Sequence, residues 1–381
     1  MKRRSLLISS GTLALTALLA GCSNRREALR VLFLADSVPP QLLKAFRNVL
    51  TQSIPLNFVP RPQLAGLFEQ LENWQTAESP PRNTADLVTL GDAWLTEAIQ
   101  QNLIQPLDVA ALSNWERIPK PWQDLVKRDR QGALSVDGQV WGAPYRWGSV
   151  AIAFRKDKLE PLGWQPQDWA DLWRPELNGL ISLPDSARTV LGLVLKKLGR
   201  SVNEADLTTV PQLTEELAAL DRQTKFYSST AYLQPLLIED TWAAVGWTTD
   251  ILPLMQGDPR IGAVVPASGT MLFSDLWVRP VQPTATDTDG VSGAEAALAQ
   301  WIDFCWQPEA ATRLSLQTAA VSPIFALDPT ALPAGLGNRT VLLPPDAVLQ
   351  KSEFLLPLSP TSAAQFRQAW SALRLSASAG P

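Results

Sequence analysis

The chain has 381 residues, of which 46% are hydrophobic and 18% charged, so it can bury a sizeable core divided between two or more domains. Lysine and arginine number 33 against 37 aspartates and glutamates, and the net charge of −4 gives no basic excess for binding nucleic acid. Histidine is absent, and Cys22 and Cys305 are the only cysteines. This composition excludes histidine-based nucleophiles and metal sites and argues against a zinc cluster or a disulfide framework, so we expect neither cofactor nor metal.

The amino-terminal segment has the pattern of an export signal. Basic residues at 2–4 precede an apolar run of about 15 residues, which is too short to span a membrane comfortably. The run ends in Leu-Ala-Gly-Cys, which resembles the lipobox at which a signal peptidase cuts before a cysteine that carries a lipid. We therefore expect a signal peptide over 1–21, a lipid on Cys22 and a tether over 22–28.

This signal predicts a periplasmic or cell-envelope lipoprotein that is anchored to the membrane through its lipid. Arg3 and Arg4, followed by Ser-Leu-Leu, also loosely resemble a twin-arginine signal, so the Sec and twin-arginine routes both remain open. An ordinary single-span anchor is the alternative interpretation, and the sequence does not distinguish the inner from the outer membrane.

Strands and helices alternate along much of the remaining chain. Short apolar runs predict buried strands at 31–35, 55–59, 86–90, 150–154, 242–248, 261–266 and 271–279. Helical spacing of apolar residues follows most of these runs, and long helices are predicted at 295–313 and 362–375. The alternation predicts an α/β protein with crossover units and a largely parallel sheet.

Several segments, taken in order, carry a resemblance to a known family. They are Val-Pro-Pro-Gln-Leu-Leu at 38–43, Asp-Leu-Val-Thr-Leu-Gly-Asp-Ala-Trp-Leu at 86–95, Trp-Gly-Ala-Pro-Tyr-Arg-Trp-Gly at 141–148, Leu-Pro-Asp-Ser-Ala-Arg-Thr-Val-Leu at 183–191, Val-Gly-Trp at 245–247 and Leu-Phe-Ser-Asp at 272–275. Each motif is weak alone. Their order resembles that of the spermidine/putrescine-binding proteins of bacterial ABC importers, within extracellular solute-binding protein family 1 and in lipoprotein form.

The resemblance implies a two-lobed periplasmic-binding-protein fold of type II, whose lobes close about a hinge over a ligand in the cleft between them. Lobe 1 would cover 29–148 plus 275–323, and lobe 2 would cover 149–273 plus 325–381. It further implies a monomer without enzymatic activity or nucleic acid partner. Such a protein captures a polyamine or another small cationic solute and delivers it to a membrane permease and its ATPase.

The resemblance also implies ligand contacts from loops of lobe 1. Asp36 and Ser37 follow the first strand, in a loop that lacks the aromatic residues of the family. Asp92 and Trp94 follow the third strand, and Tyr145 lies in the segment that leads to lobe 2. Asp92 has an alternative interpretation as the N-cap of the helix that follows it.

In lobe 2 the resemblance implies a changed site. Ser186 and Thr189 lie where the family has a pair of acidic side chains, so both carboxylates are missing. Trp247 matches a tryptophan that stacks on the ligand, and Phe273 replaces an aromatic residue beside it.

Asp275 matches a family carboxylate that binds an amine of the ligand. A carboxylate that is buried without a cation is costly, so Asp275 indicates a cationic partner. That partner is either the solute or, within the protein, Arg146 or Arg279.

Other functions remain open on this sequence. The same fold could bind a thiamine-like solute, an anion or a zwitterion held by Arg146, or it could be a scaffold lipoprotein that has lost its ligand site. Ferric iron is disfavoured because the chain offers 3 tyrosines and no histidine for an iron site. An enzyme is disfavoured because no glycine-rich phosphate loop and no Gly-x-Ser-x-Gly motif is present.

Replacing Cys22 tests the lipoprotein prediction. The Cys22→Ala chain lacks the thiol that accepts the lipid, so we expect it to move from the detergent-rich to the aqueous phase in a detergent partition assay. The Cys305→Ala chain is the control and should partition like the wild type. Partition of the Cys22→Ala chain with the detergent would contradict the prediction.

Overall fold

The computed structural model describes residues 28–76, 84–281, 293–326, 332 and 338–378. The predicted signal peptide, Cys22 and most of the predicted tether lie outside the described residues. Among the helices within these ranges, none combines the length and the apolar character that a membrane crossing requires.

Strands and helices alternate through the described chain. The strands are β1 (Leu29–Leu34), β2 (Leu56–Arg61), β3 (Leu87–Gly91), β4 (Ile104–Gln105), β5 (Lys127–Arg128), β6 (Gln139–Val140), β7 (Ala143–Arg155), β8 (Ile181–Leu183), β9 (Thr224–Tyr227), β10 (Ala243–Trp247), β11 (Ile261–Val264), β12 (Met271–Pro280) and β13 (Glu353–Phe354). The helices are α1 (Pro40–Val49), α2 (Leu64–Thr76), α3 (Leu95–Gln100), α4 (Lys120–Val126), α5 (Lys156–Leu159), α6 (Ala187–Lys197), α7 (Leu213–Gln223), α8 (Gln234–Leu237), α9 (Thr248–Gly257), α10 (Gly293–Cys305), α11 (Pro308–Gln317), α12 (Arg339–Leu342), α13 (Asp346–Leu349) and α14 (Pro360–Ser378).

Two predicted elements differ from those observed. The strand predicted at 150–154 is the second half of the longer β7. The helix predicted at 295–313 is divided into α10 and α11, because Pro308 lacks a backbone N–H and begins a new helix at its first position.

The sheet runs in the strand order β2-β1-β3-β12-β7-β10-β8-β9. The pairs β1–β2, β1–β3, β8–β9 and β8–β10 are parallel, as the alternation of strands and helices predicts. Strand β12 is antiparallel to β3 and β7, and β7 is antiparallel to β10. Two antiparallel strands therefore join two largely parallel halves.

Strand β7 links these halves because it changes partner along its length. Its first part pairs with β12 as far as Ser149, and its second part pairs with β10 and β11 from Val150 onward. All of its side chains are buried, as expected for a strand that is covered on both faces.

Two large hydrophobic cores flank this junction, and a third, smaller cluster packs on β7, β10 and β11. In the first, Trp301 packs edge to face against Phe46, Phe58 and Trp277, with ring centroids 5.0, 4.8 and 5.8 Å away. The second core collects residues of β7, β8, β10 and α6 together with Trp169. Each half thus has a core of its own, as expected for a two-lobed protein.

The carboxyl-terminal segment divides between the two cores. Leu342 and Phe354 pack in the first core, whereas Phe366 and Leu373 pack in the second. The predicted lobe assignment placed all of 325–381 in lobe 2. Strand β13, which pairs with the first residues of β12, lies between these two parts of the segment.

Truncating Trp301 tests the first core. Trp301 is fully buried within the aromatic cluster, so Trp301→Ala should lower the free energy of unfolding by about 3–5 kcal/mol. Urea unfolding followed by circular dichroism measures this change. The control is Val136→Ala at a side chain that is 85% exposed, where we expect a change within about 0.5 kcal/mol. A similar loss in both variants would contradict the assignment of Trp301 to the core.

Candidate functional site

The residues predicted to form the site cluster where parallel strands end. Asp36 and Ser37 follow β1, and Asp92 follows β3, in the first half of the sheet. Ser186 follows β8, and Trp247 ends β10, in the second half. Ligands of open α/β sheets bind beyond the carboxyl ends of the strands, so this edge is the candidate site.

An aromatic corner forms where the two halves meet. Trp247 and Phe273 are half-buried, and their rings meet edge to face with centroids 5.3 Å apart. Phe273 lies opposite Gly148 in the β7–β12 ladder, and a Cβ atom on Gly148 would stand 2.6 Å from the Phe273 ring. Gly148 is therefore the residue that leaves room for this corner.

Asp275 is already paired with a cation of the protein. Arg146 lies opposite Asp275 in the ladder, and its Nε donates to Asp275 Oδ2 at 2.5 Å. The two side chains are only 5% and 2% exposed. Arg279, the other internal partner that the sequence allowed, instead pairs with Glu295 at 2.6 Å.

The charges of this pair depend on each other. Burial raises the pKa of Asp275, and the adjacent Arg146 guanidinium opposes that rise. Burial is the largest effect on the pKa of Arg146 and acts to lower it, but Asp275 and Tyr145 together outweigh burial and the pKa is raised. Arg146 Nη1 donates in addition to the carbonyl oxygen of Thr318 at 3.3 Å. Asp275 thus has its counter-ion in place before any solute arrives.

Asp92 is a buried carboxylate beside this pair. Its Oδ1 accepts a hydrogen bond from the backbone N–H of Ser274 at 3.1 Å. Burial raises the pKa of Asp92 to about 7, and the negative charge of Asp275 adds to the rise while the Ser274 hydrogen bond opposes it. The N-cap interpretation is wrong, because α3 has Trp94 at its N-cap and its first turn receives no side-chain hydrogen bond.

Tyr145 and Ser37 lie inside the first core. The Tyr145 hydroxyl donates to Ser37 Oγ at 2.9 Å, and it lies 3.2 Å from Thr89 Oγ1. The Tyr145 ring stacks on Trp277 with centroids 4.2 Å apart. Both predicted residues are fully buried, so their contact with a solute stays a prediction and our proposal does not include it.

Two further residues predicted for lobe 1 reach the surface. Asp36 is exposed and has φ +62°, a left-handed conformation that aspartate tolerates better than most residues. Trp94 is half-buried and stacks on Phe68 with centroids 6.1 Å apart. Neither lies on a strand adjacent to β10.

Ser186 and Thr189 cap helix α6. Ser186 Oγ accepts from the Thr189 backbone N–H at 3.3 Å and from the Thr189 hydroxyl at 3.1 Å. The hydroxyls satisfy the start of the helix and supply no negative charge. The acid nearest in sequence, Asp185, lies 4.0 Å from Arg374.

Sequence reasoning missed Asp250, which lies in the first turn of α9, just after Trp247. Asp250 reaches the surface. The protein atoms packed around its carboxylate displace water and raise its pKa. A hydrogen bond from the Tyr232 hydroxyl and the charge of Arg146 oppose this rise. None of the ion pairs between described residues involves it. The sequence contains a signal that could have found it: Asp250 follows Trp247 by three residues, at the edge of the sheet where the site was predicted.

Two surface depressions lie away from the aromatic corner. They have volumes of 360 and 540 Å³ and lie among α1, α10, α11 and the 111–117 segment, and their linings include neither Trp247 nor Asp275. Across the described ranges no group of three or more acidic or cysteine side chains is placed to hold a metal ion. The candidate site consists of the aromatic corner and of Asp250 in the helix that follows Trp247.

Two cores joined by a shared strand, with polar and aromatic side chains at the sheet edge between them, define a two-lobed solute-binding protein. Residues 82–347 match the family model of bacterial extracellular solute-binding proteins, and the chain belongs to this family. It is a binding protein and not an enzyme.

Relatives and solved structures place the chain within this class. The spermidine/putrescine-binding periplasmic protein of Escherichia coli K12 is 24% identical over 343 residues, which cover 90% of this chain and 89% of that protein. The putrescine/cadaverine-binding protein of Pseudomonas aeruginosa is 24% identical over 267 residues, covering 66% and 72%. A spermidine/putrescine ABC transporter substrate-binding protein from Streptococcus pneumoniae has a TM-score of 0.77 at 18% identity, covering 92% and 99%. The predicted family resemblance and fold class are confirmed.

Neutralising Asp92 tests its buried position through pH. Its folded-state pKa of about 7 exceeds the ordinary 3.8, so the protonated form stabilises the fold at low pH and this stability is lost as pH rises toward 7. In Asp92→Asn the amide oxygen still accepts from Ser274. The free energy of unfolding of this variant, relative to wild type, should therefore rise by roughly 4 kcal/mol between pH 4 and 8. Asp346→Asn, at an exposed site, should show no such trend, and a flat difference for Asp92→Asn would contradict the prediction.

Proposed function

We propose that this protein is the solute-binding component of an ABC importer, that it binds a polyamine-like cationic solute at the aromatic corner, and that it delivers the solute to a membrane permease and its ATPase. The observation that carries the proposal is Asp250, an exposed carboxylate without an ion pair in the described chain, one helical turn beyond Trp247.

The chemistry of this corner suits a cation that carries methylene groups. A carboxylate forms a charge-assisted hydrogen bond with an ammonium group, and Tyr232 holds Asp250 in place by donating to it. The half-buried rings of Trp247 and Phe273 offer faces to methylenes and to positive charge, a contact that contributes about 0.5–2 kcal/mol. The names of the relatives, which bind spermidine, putrescine or cadaverine, support the same ligand class.

A zwitterion or an anion held by Arg146 is less compatible with the site. The Arg146 guanidinium is buried, and its described donors already go to Asp275 and to the Thr318 carbonyl. A solute carboxylate would have to compete with Asp275 for this guanidinium inside the protein, where separating a buried pair costs about 3–5 kcal/mol.

The proposal includes the location of the protein. We propose that the chain acts as a monomer in the cell envelope, held to the membrane through a lipid on Cys22. The export pattern of the amino-terminal segment and the periplasmic relatives support this location.

A ligand panel tests the proposed function. We expect at least one of butylamine, putrescine, cadaverine, spermidine and spermine to bind in the micromolar range, measured by calorimetry and by tryptophan fluorescence. Trp247→Ala and Asp250→Asn should each weaken binding about tenfold or more, because they remove the ring and the charge beside the ammonium.

The matched control for Asp250→Asn is Asp346→Asn, which also neutralises an exposed aspartate in the first turn of a helix. It should bind like the wild type. If no amine of the panel binds the wild type, the proposed ligand class is wrong.

A further inference from the structure

The pairing of Arg146 with Asp275 supplies that carboxylate with a cation of the protein. The two residues are direct cross-strand partners on β7 and β12 and are joined at 2.5 Å. Asp275 lies two residues beyond Phe273, and alternate residues of a strand share a face, so it belongs to the side of β12 that carries the aromatic corner. A guanidinium of the protein therefore lies beside the carboxylate that this corner would offer to an ammonium group.

A second ammonium group would find Asp275 already neutralised. A buried carboxylate is neutralised by one positive charge, and a further cation beside Arg146 would meet like-charge repulsion in a low-dielectric setting. Displacing Arg146 would leave its own charge buried without a partner. The side chain also donates to Thr318, which holds it in this position.

Neither the start of α6 nor the loop after β1 offers a carboxylate that could replace Asp275 as the partner of a second ammonium group. Helix α6 begins with the hydroxyls of Ser186 and Thr189, and Asp185 lies beside Arg374. Asp36 is exposed, but β3, β12 and β7 separate its strand from β10 in the sheet order. Asp92, the other carboxylate beside this pair, is buried and accepts from the Ser274 backbone N–H. Asp250 is thus the exposed carboxylate near Trp247 that can receive an ammonium group.

We propose that Arg146 is a specificity-determining residue: its guanidinium takes the place of one ammonium group of a polyamine beside Asp275, so that the site recognises one ammonium group of a solute and gains no affinity from a second. This inference rests on the proposed function, since it assigns a narrower ligand class to the same site.

Comparing butylamine with putrescine tests the inference on the wild-type protein, because both have a four-carbon chain and differ by one amine. If the second ammonium gains no partner, calorimetry should give dissociation constants within about threefold of each other. A preference of tenfold or more for putrescine overturns the inference while leaving the proposed function intact. Absence of binding by any amine overturns the proposed function itself.

Removing the built-in cation should change the preference. In Arg146→Met, Asp275 loses its counter-ion, and putrescine should bind about 10- to 100-fold more tightly relative to butylamine, the range for a hydrogen bond to a charged group. Arg279→Met removes an ion-paired arginine from β12, the strand that pairs with β7, outside the site, and it should keep the wild-type ratio.

The double variant Arg146→Met with Asp275→Asn identifies where the second amine binds. It removes both charges of the buried pair, which destabilises a protein less than removing one of them. The gain in putrescine affinity expected for Arg146→Met should then disappear. A gain that persists in the double variant, or a folded Arg146→Met protein with the wild-type ratio, overturns the inference. Where Arg146→Met fails to fold by circular dichroism, the wild-type comparison decides.

Discussion

The antiparallel pairing of β7 with β12 is the constraint on which the rest of the structure depends. One register places Arg146 against Asp275 and Gly148 against Phe273, and it does so where β7 passes from the first core to the second. Because side chains alternate between the faces of a strand, a shift of one residue would turn the arginine away from the aspartate and bring a side chain against the Phe273 ring. The electrostatics and the shape of the site therefore follow from the same ladder.

This register also explains why a charged pair is tolerated in the interior. Burying two ions costs desolvation energy that their attraction offsets only with good geometry, so such pairs contribute little net stability. Here the strands hold the two side chains as direct neighbours. Arg146 also donates to the Thr318 carbonyl, and the Ser274 backbone N–H donates to Asp92 beside the pair. Asp92 lies against the same pair, and its raised pKa reflects how little water reaches this junction.

Much of the fold could be predicted from local patterns. Alternating apolar runs and helical spacing predicted the parallel pairs, and the order of motifs predicted the two-lobed class that the comparisons confirm. Pro308 begins a new helix within a predicted one, and residues of the carboxyl-terminal segment pack in both cores. A pattern of apolar residues carries no information about which distant strand a short segment will join.

The site was harder to predict, for a reason that concerns charge. The sequence allowed two arginines as partners for Asp275, and only the cross-strand register distinguishes Arg146 from Arg279, which pairs with Glu295 instead. Asp250 was missed because its suitability as a ligand for an ammonium group depends on the hydrogen bond from Tyr232 and on the start of α9 directly after Trp247. The residue types of the candidate site were therefore visible, whereas the number of carboxylates left without a counter-ion was not.

Charge balance rather than fold decides what such a site can accept. The same two-lobed scaffold accommodates different solutes, so ligand class follows from the side chains that the strand ends present. In this chain Trp247 and Phe273 form the aromatic corner, hydroxyls begin α6 where the resemblance implies an acidic pair, and Asp275 is neutralised by the protein itself. Each of these differences from the expected polyamine site removes negative charge without disturbing the sheet that carries it. An ammonium group that enters beside Trp247 would thus be balanced by Asp250, and a solute with further positive charges would have to leave them in water.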